Sequence, residues 1–295
     1  MMNKERQKQH IEKWVDRGLT LFCWAGALLL LWGVMQVFCF TSFKIPSDSM
    51  EPGLVAGDYI AVNKLIYGAR LFDVFDALDK KEVTIERLPG LREINRNDVV
   101  VFNFPYPARW DSIGFDVMKY YVKRCIALPG DTVEIRDGLL GIRGYQGKLG
   151  NVSGQSRLSH LPDSLIPKGV LHTFPYDKTL NWTVKNFGPL AVPARGRVVA
   201  MDSLSYSLYR QLIGWEQKKK LRMVEGCVCL GDSAIFRYRF RENYYFVSGD
   251  KADNSQDSRY WGMLPESYIV GKATFIWKSK GEDGIRWNRI FKRVE

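Results

Sequence analysis

The chain is poor in histidine and cysteine for its 295 residues. Of its three histidines, one lies in the amino-terminal arm, so only His160 and His172 remain for all that follows. Histidine, the base that usually activates a serine, is therefore nearly absent from this part of the chain, and a zinc site built around the single Cys-x-Cys pair would want more ligands. We therefore expect no metal and no cofactor, and an activated hydroxyl in this chain needs a base other than histidine.

Disulfide bonds are not expected either. Two of the five cysteines fall in an apolar run, two are separated by one residue in a strand, and one has no partner left: Cys23 and Cys39, Cys227 and Cys229, and Cys125. We expect all five to be buried small apolar residues.

Long hydrophobic runs are also rare, and only one could cross a bilayer. Between Arg17 and Lys44 lie 26 residues (44 − 17 − 1) without a charge, against the ~20 that a spanning helix needs. The apolar core of a cleavable signal has only about 7–15 residues, so this run predicts a retained transmembrane anchor at 18–43. The short basic arm at 1–17 favours the cytoplasmic side, which places the large remainder across the membrane.

The charge of the chain has one dominant sign, with a formal net charge of +11. For a domain tethered to a membrane, anionic lipid headgroups are the simplest partner, and we expect no nucleic acid.

The sequence beyond the anchor predicts a mainly β fold. Its apolar runs are short and punctuated by Gly, Pro, Asn and Asp, which is typical of strands and turns. The runs that read as strands are 59–62, 99–102, 120–126, 132–135, 198–200, 244–247 and 274–277. Two stretches look helical or irregular. The first, 71–78, begins a surface segment that runs to Asn97 and is called the excursion below. The second is 203–221, where apolar residues recur at helical spacing.

A shift in composition divides this β-rich part. Gly and Ser become dense near Asp137, and strand-like sequence returns near Ala234. We expect an antiparallel β-sheet domain built from 44–136 and 234–295, with a basic carboxyl tail. An inserted subdomain of β-rich or mixed structure occupies 137–233.

Ser49 and Lys123 are the first candidates for chemistry. A serine hydroxyl is a weak nucleophile until a base removes its proton. A lysine can be that base when burial lowers its pKa from the reference of about 10.4. Lys123 lies in the apolar strand 120–126, on the same face as Tyr121 and Cys125. Taken alone, such a lysine is more often a surface residue whose amine reaches water.

A third segment, 249–262, is a polar loop bounded by glycines. Its carboxylates allow a hydrogen-bonded loop or a calcium site, but their spacing does not match a calcium-binding loop. A pair between Asp257 and Arg259 more simply fixes the shape of the loop.

Taken in this order behind a membrane anchor, these segments resemble the type I signal peptidases, serine–lysine proteases that remove signal peptides from exported proteins. The matching motifs are IPSDSM (45–50), GDYI (57–60), RNDVVVF (96–102), KRCIALPGD (123–131) and the loop 249–262. The resemblance implies a serine endopeptidase in the bacterial plasma membrane, with signal-peptide-bearing preproteins and the lipid bilayer as partners. The antiparallel β-sheet would then be the catalytic domain.

The resemblance also implies roles for single residues. Ser49 would be the nucleophile and Lys123 the general base, with the Ser47 hydroxyl and the Ser49 backbone N–H as the oxyanion hole. Ser255 would orient the Lys123 amine. Two supporting pairs would hold the strand and loop together: Asp250 with Arg124, and Asp257 with Arg259.

The resemblance implies a substrate site that selects small residues. Bulky side chains make its pockets shallow, and the matching positions are Phe43, Ile45, Met50, Leu54, Ile60, Tyr121 and Val122. Three positions depart from the family pattern: Gly53, Lys251 and Ala252.

Two other functions remain open. A serine–lysine protease that cleaves itself as a regulator would keep the same motifs, but such proteins do not need a membrane anchor. A non-enzymatic anchored β domain would keep the fold and lose Ser49 or Lys123, and this chain has both.

Overall fold

The structure is a computed structural model that describes residues 2–295, with side chains from residue 13 onward. Its six helices are α1 Met2–Phe38, α2 Val74–Leu78, α3 Val152–His160, α4 Lys168–Leu171, α5 Ser203–Gln217 and α6 Ser258–Trp261. The stretch Lys13–Phe38 of α1 is long and apolar enough to cross a membrane, and none of its most apolar window is buried. The helix ends five residues before the expected boundary at 43, because the alternating sequence that follows pairs as a strand.

Eighteen strands follow within the described residues. They are β1 Phe40–Lys44, β2 Asp58–Asn63, β3 Arg70–Leu71, β4 Glu86–Arg87, β5 Val99–Asn103, β6 Tyr120–Ala127, β7 Thr132–Arg136, β8 Leu139–Ile142, β9 Phe187–Ala191, β10 Val198–Ala200, β11 Leu221–Val224, β12 Cys227–Leu230, β13 Ser233–Ala234, β14 Arg237–Arg239, β15 Tyr244–Ser248, β16 Leu264–Pro265, β17 Ile269–Gly281 and β18 Gly284–Ile285. The prediction of a mainly β fold is confirmed, and each of the seven predicted strands lies in an observed one.

The main sheet is antiparallel, in the order β1-β2-β17-β5-β6-β15-β16. Alternation along β5 explains its place at the centre: Val99 and Val101 pack on one face, and Val100 and Phe102 on the other. Every residue of β5 is buried, so both faces of the sheet are covered.

Among the strand edges of this sheet that have no strand beside them in the described structure, two lie close together. β1 pairs only with β2. β15 pairs with β6 only from Arg124 to Ala127, so the half of β6 from Tyr120 to Lys123 lacks a partner on that side. These two free edges border the site described below.

The region 137–233 packs onto the main sheet rather than standing apart. Its strands β8 and β9 flank β7 in a separate three-stranded sheet, and its longest helix is α5. One apolar cluster joins Leu190 and Leu212 of this region to Ile126 and Phe246 of the main sheet. The two parts therefore share a hydrophobic core, and the expected boundaries at 137 and 233 stay a prediction.

The predicted helix at 203–221 is shorter than expected. It begins with Asp202, whose side chain accepts a hydrogen bond from the Ser205 N–H, and ends where Lys218 adopts φ 55°. Leu221 already belongs to β11. In the excursion, only Val74–Leu78 is helical, capped by Asp73.

All five cysteines lie in the described part of the chain and none forms a disulfide. The expectation that all are buried is wrong, since only Cys125 is. Cys23 lies on the uncovered anchor helix, and Cys227 is exposed on the small sheet β11-β12-β13.

Candidate active site

The loop that carries Ser49 follows β1 directly. Ile45 and Met50 are 3% and 2% exposed, so the two ends of the segment are held in the core. The polar residues Ser47, Asp48 and Ser49 between them are left at the surface of the turn, which is closed by the Glu51 N–H donating to the Asp48 carbonyl at 2.9 Å. The two buried ends therefore anchor the loop, and the Ser49 hydroxyl lies on the turn between them.

The Gly-Asp motif at 57–58 supports this loop from below. Gly57 has φ 89°, and a Cβ there would lie 2.0 Å from the Lys280 carbonyl oxygen, so only glycine fits. The buried Asp58 carboxylate accepts hydrogen bonds from the Val55 N–H at 2.9 Å and the Ser279 hydroxyl at 2.7 Å. These contacts tie the segment after Ser49 to β17.

Lys123 reaches Ser49 from β6. Its Nζ lies 2.6 Å from the Ser49 Oγ, within hydrogen-bond distance. The lysine is only 4% exposed, and burial lowers its pKa to about 8, against the raising effect of the Asp257 carboxylate. A substantial fraction of this amine is therefore neutral at mildly alkaline pH and can accept the serine proton.

The surroundings of Lys123 follow from its strand. It lies opposite Val100 of β5, and the ring of Tyr121 is 5.9 Å from its amine. Cys125, the other residue on this face, is completely buried. The apolar setting removes water from the amine and is the physical cause of the lowered pKa.

Ser47 stands beside the nucleophile. Its hydroxyl oxygen is 3.4 Å from the Ser49 Oγ, on the same turn. A hydroxyl here can donate to an oxyanion that forms next to Ser49, together with the Ser49 backbone N–H.

Two buried ion pairs lie under the site. Arg124 donates to both oxygens of Asp250 at 2.6 Å, and Arg259 donates to both oxygens of Asp257 at 2.8 Å. Both aspartates are 1% exposed or less, and such two-pronged pairs fix geometry as well as charge. Asp257 also accepts the Gly249 N–H at 2.9 Å, so the pair holds the loop 249–262 against β15.

Ser255 is close to the site without a hydrogen bond. Its buried hydroxyl has no partner among the described residues. A Cβ on Gly249 would lie 2.1 Å from the Ser255 Oγ and 2.6 Å from the Ser49 carbonyl oxygen, so glycine is required where these groups meet. The orienting contact from Ser255 to Lys123 stays a prediction.

A cleft of about 560 Å³ opens over the dyad. Five of the seven expected substrate-contacting residues line it: Phe43, Ile45, Met50, Tyr121 and Val122. Leu54 and Ile60 do not reach it, because they are 1% and 0% exposed in the core beneath and support its floor. Three larger cavities, of about 1020, 720 and 640 Å³, lie elsewhere and include neither Ser49 nor Lys123 in their walls.

Sequence reasoning missed several residues of the site. Met118, Tyr120 and Gln256 also line the cleft, and the Tyr121 hydroxyl donates to the Gln256 side-chain oxygen at 3.1 Å. Tyr120 could have been found, since it begins the strand that carries Lys123. Met118 lies in an irregular loop and is 73% exposed, so no periodicity marks it.

Comparison with known proteins gives a consistent result. The family described as "Signal peptidase, peptidase S26" matches residues 18–278. A protein named Signal peptidase I from Aquifex aeolicus is 30% identical over 244 residues, covering 81% of this chain and 75% of that protein. One from Buchnera aphidicola, of the Acyrthosiphon pisum subspecies, is 28% identical over 281 residues, covering 87% and 76%.

A crystal structure of a signal peptidase I from Enterococcus faecalis is also similar, at 22% identity and a TM-score of 0.30, covering 63% of this chain and all of that one. The family match extends over most of the chain, from the anchor through β17, and takes in both Ser49 and Lys123. This chain belongs to the signal peptidase family, peptidase S26.

Proposed function

We propose that this protein is a signal peptidase I, a membrane-bound serine endopeptidase that removes amino-terminal signal peptides from exported preproteins. The observation that carries the proposal is the 2.6 Å approach of the Lys123 amine to the Ser49 hydroxyl in an apolar, largely dry setting. Membership of the peptidase S26 family supports the same chemistry.

The reaction is acyl transfer in two steps. Neutral Lys123 takes the proton of Ser49 as the serine oxygen attacks the scissile carbonyl, and the Ser47 hydroxyl and Ser49 N–H stabilise the oxyanion. The protonated amine then gives its proton to the leaving amino group, and an ester to Ser49 remains. Lys123, neutral again, takes a proton from the water that attacks this ester and then gives it to the departing Ser49 oxygen, which releases the carboxyl product and restores the serine.

The free strand edges are suited to an extended substrate. The edge of β1 continuing to Pro46 and the edge of β6 from Tyr120 to Lys123 both border the cleft. A peptide lying between them would gain main-chain hydrogen bonds from each side. The bulky side chains Phe43 and Val122 leave room for small substrate residues.

The remaining site residues act as supports in this proposal. The pairs of Asp250 with Arg124 and of Asp257 with Arg259 keep β6 and the loop 249–262 in register. Ser255 orients the Lys123 amine in this proposal, and the support for this role is that its buried hydroxyl has no other partner among the described residues.

We place the protein in the bacterial plasma membrane as a single-pass protein with its amino terminus in the cytoplasm. The Lys64 amine donates to the carbonyls of Gln36 and Val37 at 2.7 and 3.0 Å, which joins the end of the anchor to the base of the excursion. The excursion carries exposed apolar side chains, with Phe75 81% and Leu91 79% exposed. In this proposal the exposed apolar side chains of the excursion contact the lipid surface. The excess of basic groups in the chain adds attraction to anionic headgroups.

The test is cleavage of a signal-bearing precursor by the full chain in detergent, with the products located by mass spectrometry. We expect the wild type to cut after a small residue, and Ser49→Ala and Lys123→Ala each to abolish the cut. Ser153→Ala, an exposed serine on α3, serves as the matched control and retains activity. Full activity in either dyad variant would refute the mechanism, and cleavage of its own chain alone would favour a self-cleaving regulator.

A further inference from the structure

The residue that departs from the family pattern at 251 contacts the nucleophile loop. The Lys251 amine pairs with the Asp48 carboxylate and lies 3.4 Å from a carboxylate oxygen of Glu51. Its backbone N–H donates to the Ser49 carbonyl at 3.1 Å. The backbone of Lys251 therefore contacts Ser49, and its side chain contacts the neighbouring Asp48.

Asn254 completes the contact from the same loop. Its side-chain N–H₂ group lies 3.2 and 3.1 Å from the two oxygens of Asp48. The hydrogen bond from Lys251, together with that from Asn254, lowers the pKa of Asp48 despite its partial burial, so this carboxylate stays charged across the working range. A fixed negative charge thus stands between Ser47 and Ser49.

We propose that Lys251 is a positioning residue that clamps Asp48, and with it the Ser47–Ser49 turn, against the loop 249–262, and that it balances the charge of Asp48 beside the Lys123 amine. The inference deepens the proposed function and rests on the Ser49–Lys123 dyad. Because a misplacement of about 1 Å in an active site can cost ~10²-fold in rate, a clamp on the nucleophile turn acts mainly on kcat.

The electrostatic part follows from what surrounds the amine. The charged groups that act on Lys123 are Asp257, Arg259, Asp250 and Asp48. Asp48 stabilises the protonated amine, and the Lys251 cation offsets that effect. Removing the Lys251 charge therefore favours protonated Lys123, and removing the Asp48 charge disfavours it.

The experiment measures kcat, KM and the pH profile of precursor cleavage for Lys251→Met, Lys251→Arg and Asp48→Asn in the full chain. We expect Lys251→Met to lower kcat by about 10-fold or more, with little change in KM. The acidic limb of the pH profile, where activity rises as Lys123 loses its proton, should move to higher pH. Asp48→Asn should move this limb to lower pH. Lys251→Arg keeps the positive charge and should retain both the kcat and the midpoint of the wild type. Lys185→Met, which breaks a 2.8 Å lysine–aspartate pair in the inserted region, is the matched control.

A second readout separates this inference from the proposed function. The rate at which p-nitrophenyl acetate acylates Ser49, followed by mass spectrometry, should show the same shifts without a precursor. Acylation without precursor cleavage would refute only the proposed substrate. The clamp would be overturned if Lys251→Met left both kcat and the midpoint of the pH profile unchanged. It would also be overturned if Lys251→Met and Lys251→Arg lost equal activity with that midpoint fixed, or if Ser49 of the wild type were never acylated.

Discussion

In the proposed mechanism, Lys123 acts as a base only when its amine carries no proton, so the pH profile of cleavage reports how strongly burial lowers its pKa. Burial lowers its pKa to about 8, so activity should rise through a limb near that pH and level off above it. Plotting kcat/KM for precursor cleavage against pH gives the midpoint. A midpoint near the reference value of about 10.4 would contradict desolvation of the amine.

Ser47 contributes in a different way from the dyad. Its hydroxyl lies 3.4 Å from that of Ser49 and is, in the proposed mechanism, one of two donors to the oxyanion. Loss of one such donor typically costs ~10²–10³ in kcat, so Ser47→Ala should be slow but measurable, with KM nearly unchanged. Single-turnover rates in detergent check this, and activity equal to the wild type would exclude Ser47 from the oxyanion hole.

Single residues differ in how far the sequence could predict them. Ser49 and Lys123 stand in short linear motifs, so each could be named before the fold was known. The contact between Asp48 and Lys251 joins residues 203 positions apart and depends on how two loops meet. Leu54 and Ile60 were expected in the cleft because they are bulky and apolar, but the same property places them in the core.

At the level of elements, Asp98 connects the excursion to the central strands. Its carboxylate accepts hydrogen bonds from the Tyr67 hydroxyl and the Arg92 guanidinium at 2.8 Å, and from the Lys272 amine. Burial alone would raise its pKa, but these donors outweigh that effect and lower it to about 2. The stabilisation is therefore present above the unfolded-state pKa of about 3.9 and is lost as pH falls toward 2.

We expect Asp98→Asn to weaken this acid dependence. In the wild type, about 2–3 kcal/mol of unfolding free energy should disappear between pH 4 and 2 through this group. The variant should be less stable at pH 7 and should change less over the same interval, as measured by thermal unfolding of the detergent-solubilised chain. Parallel curves for the two proteins would contradict a role for Asp98 in acid sensitivity.

The elements were predictable where their pattern is local. Each predicted strand has a run of apolar residues that a sheet buries, and those runs are visible in the sequence. The free half of β6 was not visible, because it results from the short pairing with β15, whose register shifts between Phe246 and Val247. The early end of the anchor has a similar cause, since β1 is uncharged up to Lys44 and is distinguished from membrane helix only by its pairing with β2.

For the whole molecule, the proposed contact of the excursion with lipid predicts that cleavage depends on whether the substrate is in a bilayer or in solution. Phe75→Glu combined with Leu91→Glu should raise KM for a precursor inserted in vesicles and leave cleavage of a soluble peptide unchanged, because only the first requires docking at the bilayer. Parallel KM measurements on the two substrates check this. The control is Phe236→Glu, which changes a side chain next to β14 that is 75% exposed. Equal effects of the control and of the excursion variants would contradict lipid contact by the excursion.

The arrangement of the whole chain was only partly predictable. The composition shift near 137 is followed by α3, α5 and the small sheets, and the domain boundary at that position stays a prediction. Composition could not show that Leu190 and Leu212 complete the core of the main sheet, because that depends on three-dimensional packing.

The short path from the anchor to the nucleophile has a consequence for where a precursor can be cut. Only eleven positions separate Phe38, at the end of α1, from Ser49 (49 − 38). Even fully extended, at ~3.3–3.6 Å per residue, they span no more than about 40 Å, and the turn at Ser47 shortens this further. With α1 as the proposed membrane anchor, this short connection keeps Ser49 close to the bilayer surface. We therefore expect cleavage only at bonds close to the end of the precursor's own hydrophobic segment.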